Sequence, residues 1–150
     1  MNAITISQPY ASLIADGQKF VENRTWPAPV KAIGQDIAIH AGKGVQYLTR
    51  KQLTEYPNGC VIAIATLALC VSKQFILERT ARNPNELAYS TRKTWQELFS
   101  HIHTEGPFCW ILTNVRKLKH PIPASGNMGL WPFTDPCESP PDDPSKPCSS

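Results

Sequence analysis

Within eight residues, Gly17 to Arg24 (Gly-Gln-Lys-Phe-Val-Glu-Asn-Arg), the chain sets two cations and a carboxylate beside an apolar run. Side chains of an extended segment alternate, so Phe20, Glu22 and Arg24 share one face and Val21 and Asn23 the other, with Lys19 in the turn after Gly17. Glu22 and Arg24 then stand about 7 Å apart along the strand, within reach of an ion pair. The trio has two chemical uses. In the first, Lys19 and Arg24 donate to a phosphate or a base edge while Glu22 accepts from an exocyclic amine. In the second, Lys19 and Glu22 act as an acid/base pair, since a lysine lowered in pKa beside a buried carboxylate is a usable proton carrier. A half-exposed structural ion pair of little energetic weight is the alternative to both.

Four further residues are candidates for ligand contact. Tyr10 stands at the start of a helix, where backbone N–H groups gather, and offers a ring for stacking on a base or for packing in the core. His40 lies on a strand before Gly42-Lys43-Gly44, placed to meet phosphate when protonated or to serve as a bonded structural histidine. Lys43 between glycines suits an anion-contacting loop, though the pattern is not a P-loop. Asn127, in Gly126-Asn127-Met128-Gly129, presents a paired donor and acceptor to a base edge on a backbone free to approach closely, or forms a tight turn. Arg79, Arg82, Arg92 and Lys93 concentrate charge in a helical stretch, suited to tracking a nucleic-acid backbone or to forming solvated helix faces.

The elements that must position these groups are short. Ala3–Ile6 is β-prone; Ser7 is the candidate cap of a helix over about residues 8–16 that Gly17 ends. Phe20–Trp26 reads as a strand closed by Pro27 and Pro29, and Asp36–Ala41 as a second, with Ile37 and Ile39 on one side and Ala38 and His40 on the other. A helix is expected over Val45–Glu55, stopped by Pro57-Asn58-Gly59. Cys60–Val71 is apolar on both faces, the mark of a strand covered on two sides. Gln74–Arg82 and Lys93–His103 read as helices, the second with Trp95, Leu98, Phe99 and Ile102 as its core stripe. Phe108–Val115 returns to strand, Trp26 and Trp131 read as packing residues, and Pro121-Ile122-Pro123 and Gly129-Leu130-Trp131 close the body. The pattern is α+β, with about five or six short strands forming a small β-barrel flanked by short helices, and no dinucleotide fold.

The chain has 150 residues with 14 prolines and a net charge of +3 from 15 Lys and Arg against 12 Asp and Glu. Residues 134–150 carry five of the prolines, four acids and one lysine and no large apolar side chain, so they read as a Pro-rich acidic disordered tail. The body, residues 1–133, is then one domain holding 14 basic against eight acidic side chains, a balance that favours anionic partners. The five cysteines (60, 70, 109, 137, 148) form no C-x-x-C pair. Three lie in apolar runs as reduced core thiols, which points to a cytoplasmic protein with no metal site and no cofactor. No signal peptide or membrane span is expected.

The pattern G-x-K-x-x-E-x-R at Gly17, Lys19, Glu22 and Arg24, preceded by Ile6-Ser7-Gln8-Pro9-Tyr10-Ala11-Ser12-Leu13-Ile14, resembles the ASCH domain (activating signal cointegrator homology) of the PUA-like superfamily. Ile39-His40-Ala41-Gly42-Lys43 is similar to its next strand, and Gly106-Pro107-Phe108 to Trp131 to its closing strands, so the resemblance covers about residues 3–132. It implies a small PUA-like barrel flanked by helices, with a charged cleft that receives RNA or a modified nucleoside, DNA being a second candidate partner. ASCH-like proteins include amidohydrolases of acetylated cytidine, members linked to ribonuclease activity, and domains that only bind. The amidohydrolases use a Lys, a Thr three residues on and a carboxylate on a central strand. Here Lys19 is followed at that spacing by Glu22, with Thr25 three further on, and Cys60–Val71 contains no acid. The resemblance therefore implies binding first, a hydrolase using Lys19 and Glu22 second, and a protein-interaction domain of a transcription or repair assembly third.

Overall fold

Strand β1 (Asn2–Ile6) runs parallel to β3 (Asp36–Ala41), with Asn2 opposite Ile37 and Ile6 opposite Ala41, and antiparallel to β6 (Leu130–Pro132), with Ala3 opposite Trp131. The computed structural model describes residues 1–136; most of the proline-rich tail lies outside them. Between these strands come α1 (Tyr10–Ala15), β2 (Val21–Arg24), β4 (Cys60–Ser72), α2 (Lys73–Arg82), α3 (Trp95–Ser100) and β5 (Phe108–Pro123). The described strands form one sheet in the order β2-β5-β4-β3-β1-β6. The α+β class, with six strands and three short helices, agrees with the sequence reading. No helix among the described residues is long and apolar enough to cross a membrane.

Two compact units share the chain. The first comprises Met1–Ala15, Ile37–Ile64 and the residues from Arg116 onward; the second comprises Asp16–Asp36 and Ala65–Val115. In the first, Ala3, Ala38 and Val61 pack with Trp131 and Phe133, joined by the half-buried Leu118 and Ile122. Because Ala3 stands opposite both Ala38 and Trp131 in the ladders, two methyl-sized side chains leave room for an indole on one face. The Trp131 indole N–H donates to Thr5 Oγ1 at 3.1 Å, so burying the ring strands no donor.

In the second unit, Val21 and Ile111, paired across β2 and β5, meet Ile76 of α2 and Trp95 and Leu98 of α3. Ser72 caps α2 by accepting from the Phe75 N–H at 3.0 Å. Thr94 and Glu97 cap α3 reciprocally, Thr94 Oγ1 accepting from the Glu97 N–H and Glu97 Oε2 from the Thr94 N–H.

Several elements differ from expectation. Residues 45–55 form no α-helix but a 3-10 turn at Lys51–Thr54. Val45, Tyr47 and Leu53 are exposed, so no apolar face is packed to stabilise so short a helix. The first helix is confined to Tyr10–Ala15 and is capped by the buried Gln8, whose Oε1 accepts from the Ser12 N–H at 3.0 Å while Nε2 donates to the Pro57 carbonyl at 2.8 Å. Ser7 contributes only its main-chain carbonyl, accepting from Ala11. Strand β2 is shorter than Phe20–Trp26, and β5 runs past Val115 to Pro123, with Asn114 at a positive φ of 48° along it. The α3 stripe is half correct. Trp95 and Leu98 are buried, but Phe99 is 39% exposed and Ile102 81%, because His101 turns extended and ends the helix. Leu98→Ala is accordingly expected to cost about 2–5 kcal/mol in urea unfolding, and Phe99→Ala less than about 0.5 kcal/mol.

Candidate functional site

Gly17 leaves α1 at a φ of +78°, a conformation that strains any other L-residue, and this delivers Lys19 to the start of β2. Lys19 is only 3% exposed. Its ammonium donates to the Val21 carbonyl and stands 3.9 Å from Glu22 Oε1. Burial pushes the lysine below its usual range; the Glu22 and Glu105 carboxylates oppose that shift and Arg24 adds to it. Glu22 and Arg24 sit half-buried on β2, opposite Trp110 and Phe108. Glu22 Oε1 accepts from the Asn23 N–H at 3.0 Å. Its Oε2 is buried and has no hydrogen-bond partner among the described residues, and an acceptor left so costs about 1–3 kcal/mol.

Sequence reasoning missed the wall that faces this trio. Asn23 points to the other side of β2 and binds the segment before β5: Nδ2 donates to the His103 carbonyl at 2.7 Å, and Oδ1 accepts from the N–H groups of Glu105 at 3.1 Å and Gly106 at 2.9 Å. This holds His103 and Glu105 near Lys19. His101 stacks on Phe20 with ring centroids 3.8 Å apart, and its Nε2 accepts from the Phe20 N–H at 3.4 Å. Lys93 lies 4.7 Å from the same phenyl ring. Burial, then the neighbouring His103, Lys19 and Lys93, holds the His101 imidazole down at about 4. Burial and Lys19 lower His103 as well. Nothing local in the sequence marks these residues, which lie some eighty positions from their partners.

Tyr10, His40, Lys43 and Asn127 belong to the first unit. Tyr10 is half-buried and set edge-on to Tyr47 at 5.3 Å, a packing role. His40, Lys43 and Asn127 line one pocket of ≈ 570 Å³ with Thr5, Gly126 and Met128. His40 is 2% exposed and its Nε2 stands 2.7 Å from the Ala124 carbonyl. Lys43 and Asn127 are exposed. Of the packing tryptophans, Trp131 is buried and Trp26 half-buried, edge-on to Trp110 at 4.9 Å. Among the described residues, no group of three or more His, Cys, Asp and Glu side chains is placed to hold a metal ion.

The His101 shift has a defined sign. Below its ordinary value of 6.5 the unfolded chain takes up a proton that the folded chain refuses, so stability falls as pH drops from there to about 4 and levels off below. Unfolding free energies from urea titration at about pH 7.5 and about pH 4.5 are expected to differ by about 1 kcal/mol less in His101→Phe than in the wild type, since the site is partly solvated.

The ASCH domain model matches residues 4–122. Human activating signal cointegrator 1 is 24% identical over 148 residues, a match covering 85% of this chain and 21% of that protein. The mouse protein of the same name is 26% identical with the same coverage. The chain thus spans about a fifth of the length of these curated relatives. Among solved structures, ASCH from Zymomonas mobilis is similar at a TM-score of 0.46 and 21% identity, over 81% of this chain and 72% of that one.

Proposed function

This chain belongs to the ASCH domain family, and on that footing we propose that it binds RNA, or a modified nucleoside within RNA, through Lys19, Glu22 and Arg24. The family is of RNA-binding type in general. The observation that carries the finer reading is the Glu22 carboxylate: one oxygen is spent on the Asn23 N–H, while the other is buried without a donor among the described residues. A base edge brings the N–H donor that this oxygen lacks, and single-stranded RNA is read through such edges. Lys19, committed to the Val21 carbonyl, sets the position of the carboxylate. Arg24 supplies the fixed positive charge for a phosphate.

Arg24→Ala is expected to weaken binding of a short single-stranded RNA about tenfold and to flatten the dependence of log K on log salt by about one. Glu22→Gln, which exchanges one acceptor for a donor, is expected to change base preference at constant salt slope. Fluorescence anisotropy over a salt series reads both. Two variants that bind like the wild type at low salt would remove this segment from the interface.

A second reading, hydrolysis of a modified cytidine-like nucleoside, is favoured by the burial that lowers Lys19 beside Glu22. A neutral Lys19 amine takes the proton of a water whose oxygen adds to the acetyl carbonyl carbon, while Glu22 holds the resulting ammonium. As the C–N bond breaks, that ammonium returns the proton to the leaving amine of cytidine, releasing acetic acid, which ionises to acetate. On this reading Glu22→Gln loses turnover of an acetylated cytidine by about a hundredfold or more with its melting temperature preserved, as mass spectrometry of the nucleoside would register.

A further inference from the structure

The charge of the described residues is unevenly divided. In the described part of the first unit, Lys43, Arg50, Lys51, Arg116, Lys117 and Lys119 face only Glu55 and Asp135, a net +4; the second unit has eight basic and seven acidic side chains, a net +1. Counted with Glu138, Asp142, Asp143 and Lys146 of the tail, the first unit nets +2, so both units are weakly basic and open to anions. That unit holds the ≈ 570 Å³ pocket, a volume within the range of small-ligand sites.

One wall of the pocket is a histidine with a fixed tautomer. A carbonyl only accepts, so the 2.7 Å contact with Ala124 makes His40 Nε2 the N–H, and in the neutral ring Nδ1 carries a bare lone pair. That Nδ1 is buried and has no hydrogen-bond partner among the described residues. What covers it is Gly126: a Cβ there would lie 3.0 Å from Nδ1, 2.8 Å from Cε1 and 2.7 Å from Thr5 Oγ1. Glycine alone lets the strap rest on the imidazole. The strap lies on the surface, with Ser125, Gly126 and Asn127 exposed and Met128 97% exposed. Access to the lone pair from the pocket requires an outward movement of Gly126. At the rim, Lys43 is an exposed cation whose stem crosses Gly59.

We propose that this pocket is a nucleotide subsite, in which a phosphate meets Lys43, a sugar hydroxyl or base N–H donates to His40 Nδ1, and the base lies against Met128 and the Asn127 amide. Each part answers a specific group. The lone pair calls for a donor set apart from the anion, which inorganic phosphate, whose O–H sits on the anion itself, does not bring, and the cation calls for an anion, which a free nucleoside lacks. A nucleotide brings both. The subsite goes beyond the RNA reading and rests on it only for the class of ligand.

The test is titration of the full chain with cytidine 5′-monophosphate, cytidine and inorganic phosphate, read by calorimetry and by the ¹⁵N resonances of the His40 ring. The monophosphate is expected to bind at least about tenfold more tightly than either other probe, and its binding to shift the Nδ1 resonance upfield as the lone pair accepts a hydrogen bond. Lys43→Ala, on the surface, is expected to remove the advantage over cytidine. Gly126→Ala, which sets a methyl against the ring, is expected to weaken the monophosphate about tenfold and abolish the Nδ1 shift. Equal affinity for all three probes, or Lys43→Ala and Gly126→Ala chains that bind like the wild type, would overturn the subsite. RNA binding measured in the same samples separates the two readings. RNA affinity that still depends on Arg24 while the monophosphate ignores Lys43 and Gly126 rejects the pocket alone, and the reverse pattern rejects the Lys19–Arg24 interface alone.

Discussion

One amide side chain ties together the groups that give the second unit its chemistry. Asn23 spends its carboxamide on three main-chain groups of the segment entering β5, some eighty residues away in sequence. Closing so long a loop has an entropic cost that grows only slowly with length, and three bonds to otherwise stranded backbone groups are well suited to offset it. The tie seats the main chain of His103, Glu105 and Gly106 against β2, while His101 is held separately by its stack on Phe20. From the opposite face of the same strand, the three bonds thus fix the segment that carries Glu105, whose charge acts on Lys19, and His103, on which Lys19 acts.

The first unit solves a different problem. Its core must take an indole at Trp131, and it does so by placing Ala3 and Ala38 where larger side chains would stand. The indole N–H then needs an acceptor, and Thr5 provides it. Thr5 also stands close to Gly126 above His40, so the apolar packing beneath the sheet edge and the polar surroundings of the imidazole are set by the same short strand.

Much of this was legible in the chain. Strand β3 is legible at its true limits because Asp36–Ala41 alternates cleanly between turn residues, and β4 to within one residue, running to Ser72 rather than Val71, because a long apolar run with no charge has nowhere to go but a covered strand. The charged segment was located by its spacing, and the conflict between Glu22 and the family's hydrolase pattern is a matter of residue identity alone. What could not be read depends on long-range contact. Val45–Glu55 has helical propensity, but Val45, Tyr47 and Leu53 stay exposed and no continuous apolar face is packed. Ile102 continues the α3 period in sequence, but the chain has already left the helix. The burial of Lys19, the capping by Gln8 and the histidine wall all follow from pairings with residues tens of positions away, and no local pattern encodes those.

The distribution of thiols has a practical consequence. Cys60 belongs to the first unit and Cys109 to the second, both are buried, and burial raises both above the ordinary thiol range. A buried protonated thiol is a poor nucleophile until the chain around it opens. Each unit therefore carries an internal clock: the rates at which Cys60 and Cys109 are alkylated measure how often the chain around each one opens. Because the Cys109 sulfur lies 3.8 Å from the Asn23 carboxamide oxygen, the second clock sits on the tie itself and times its release.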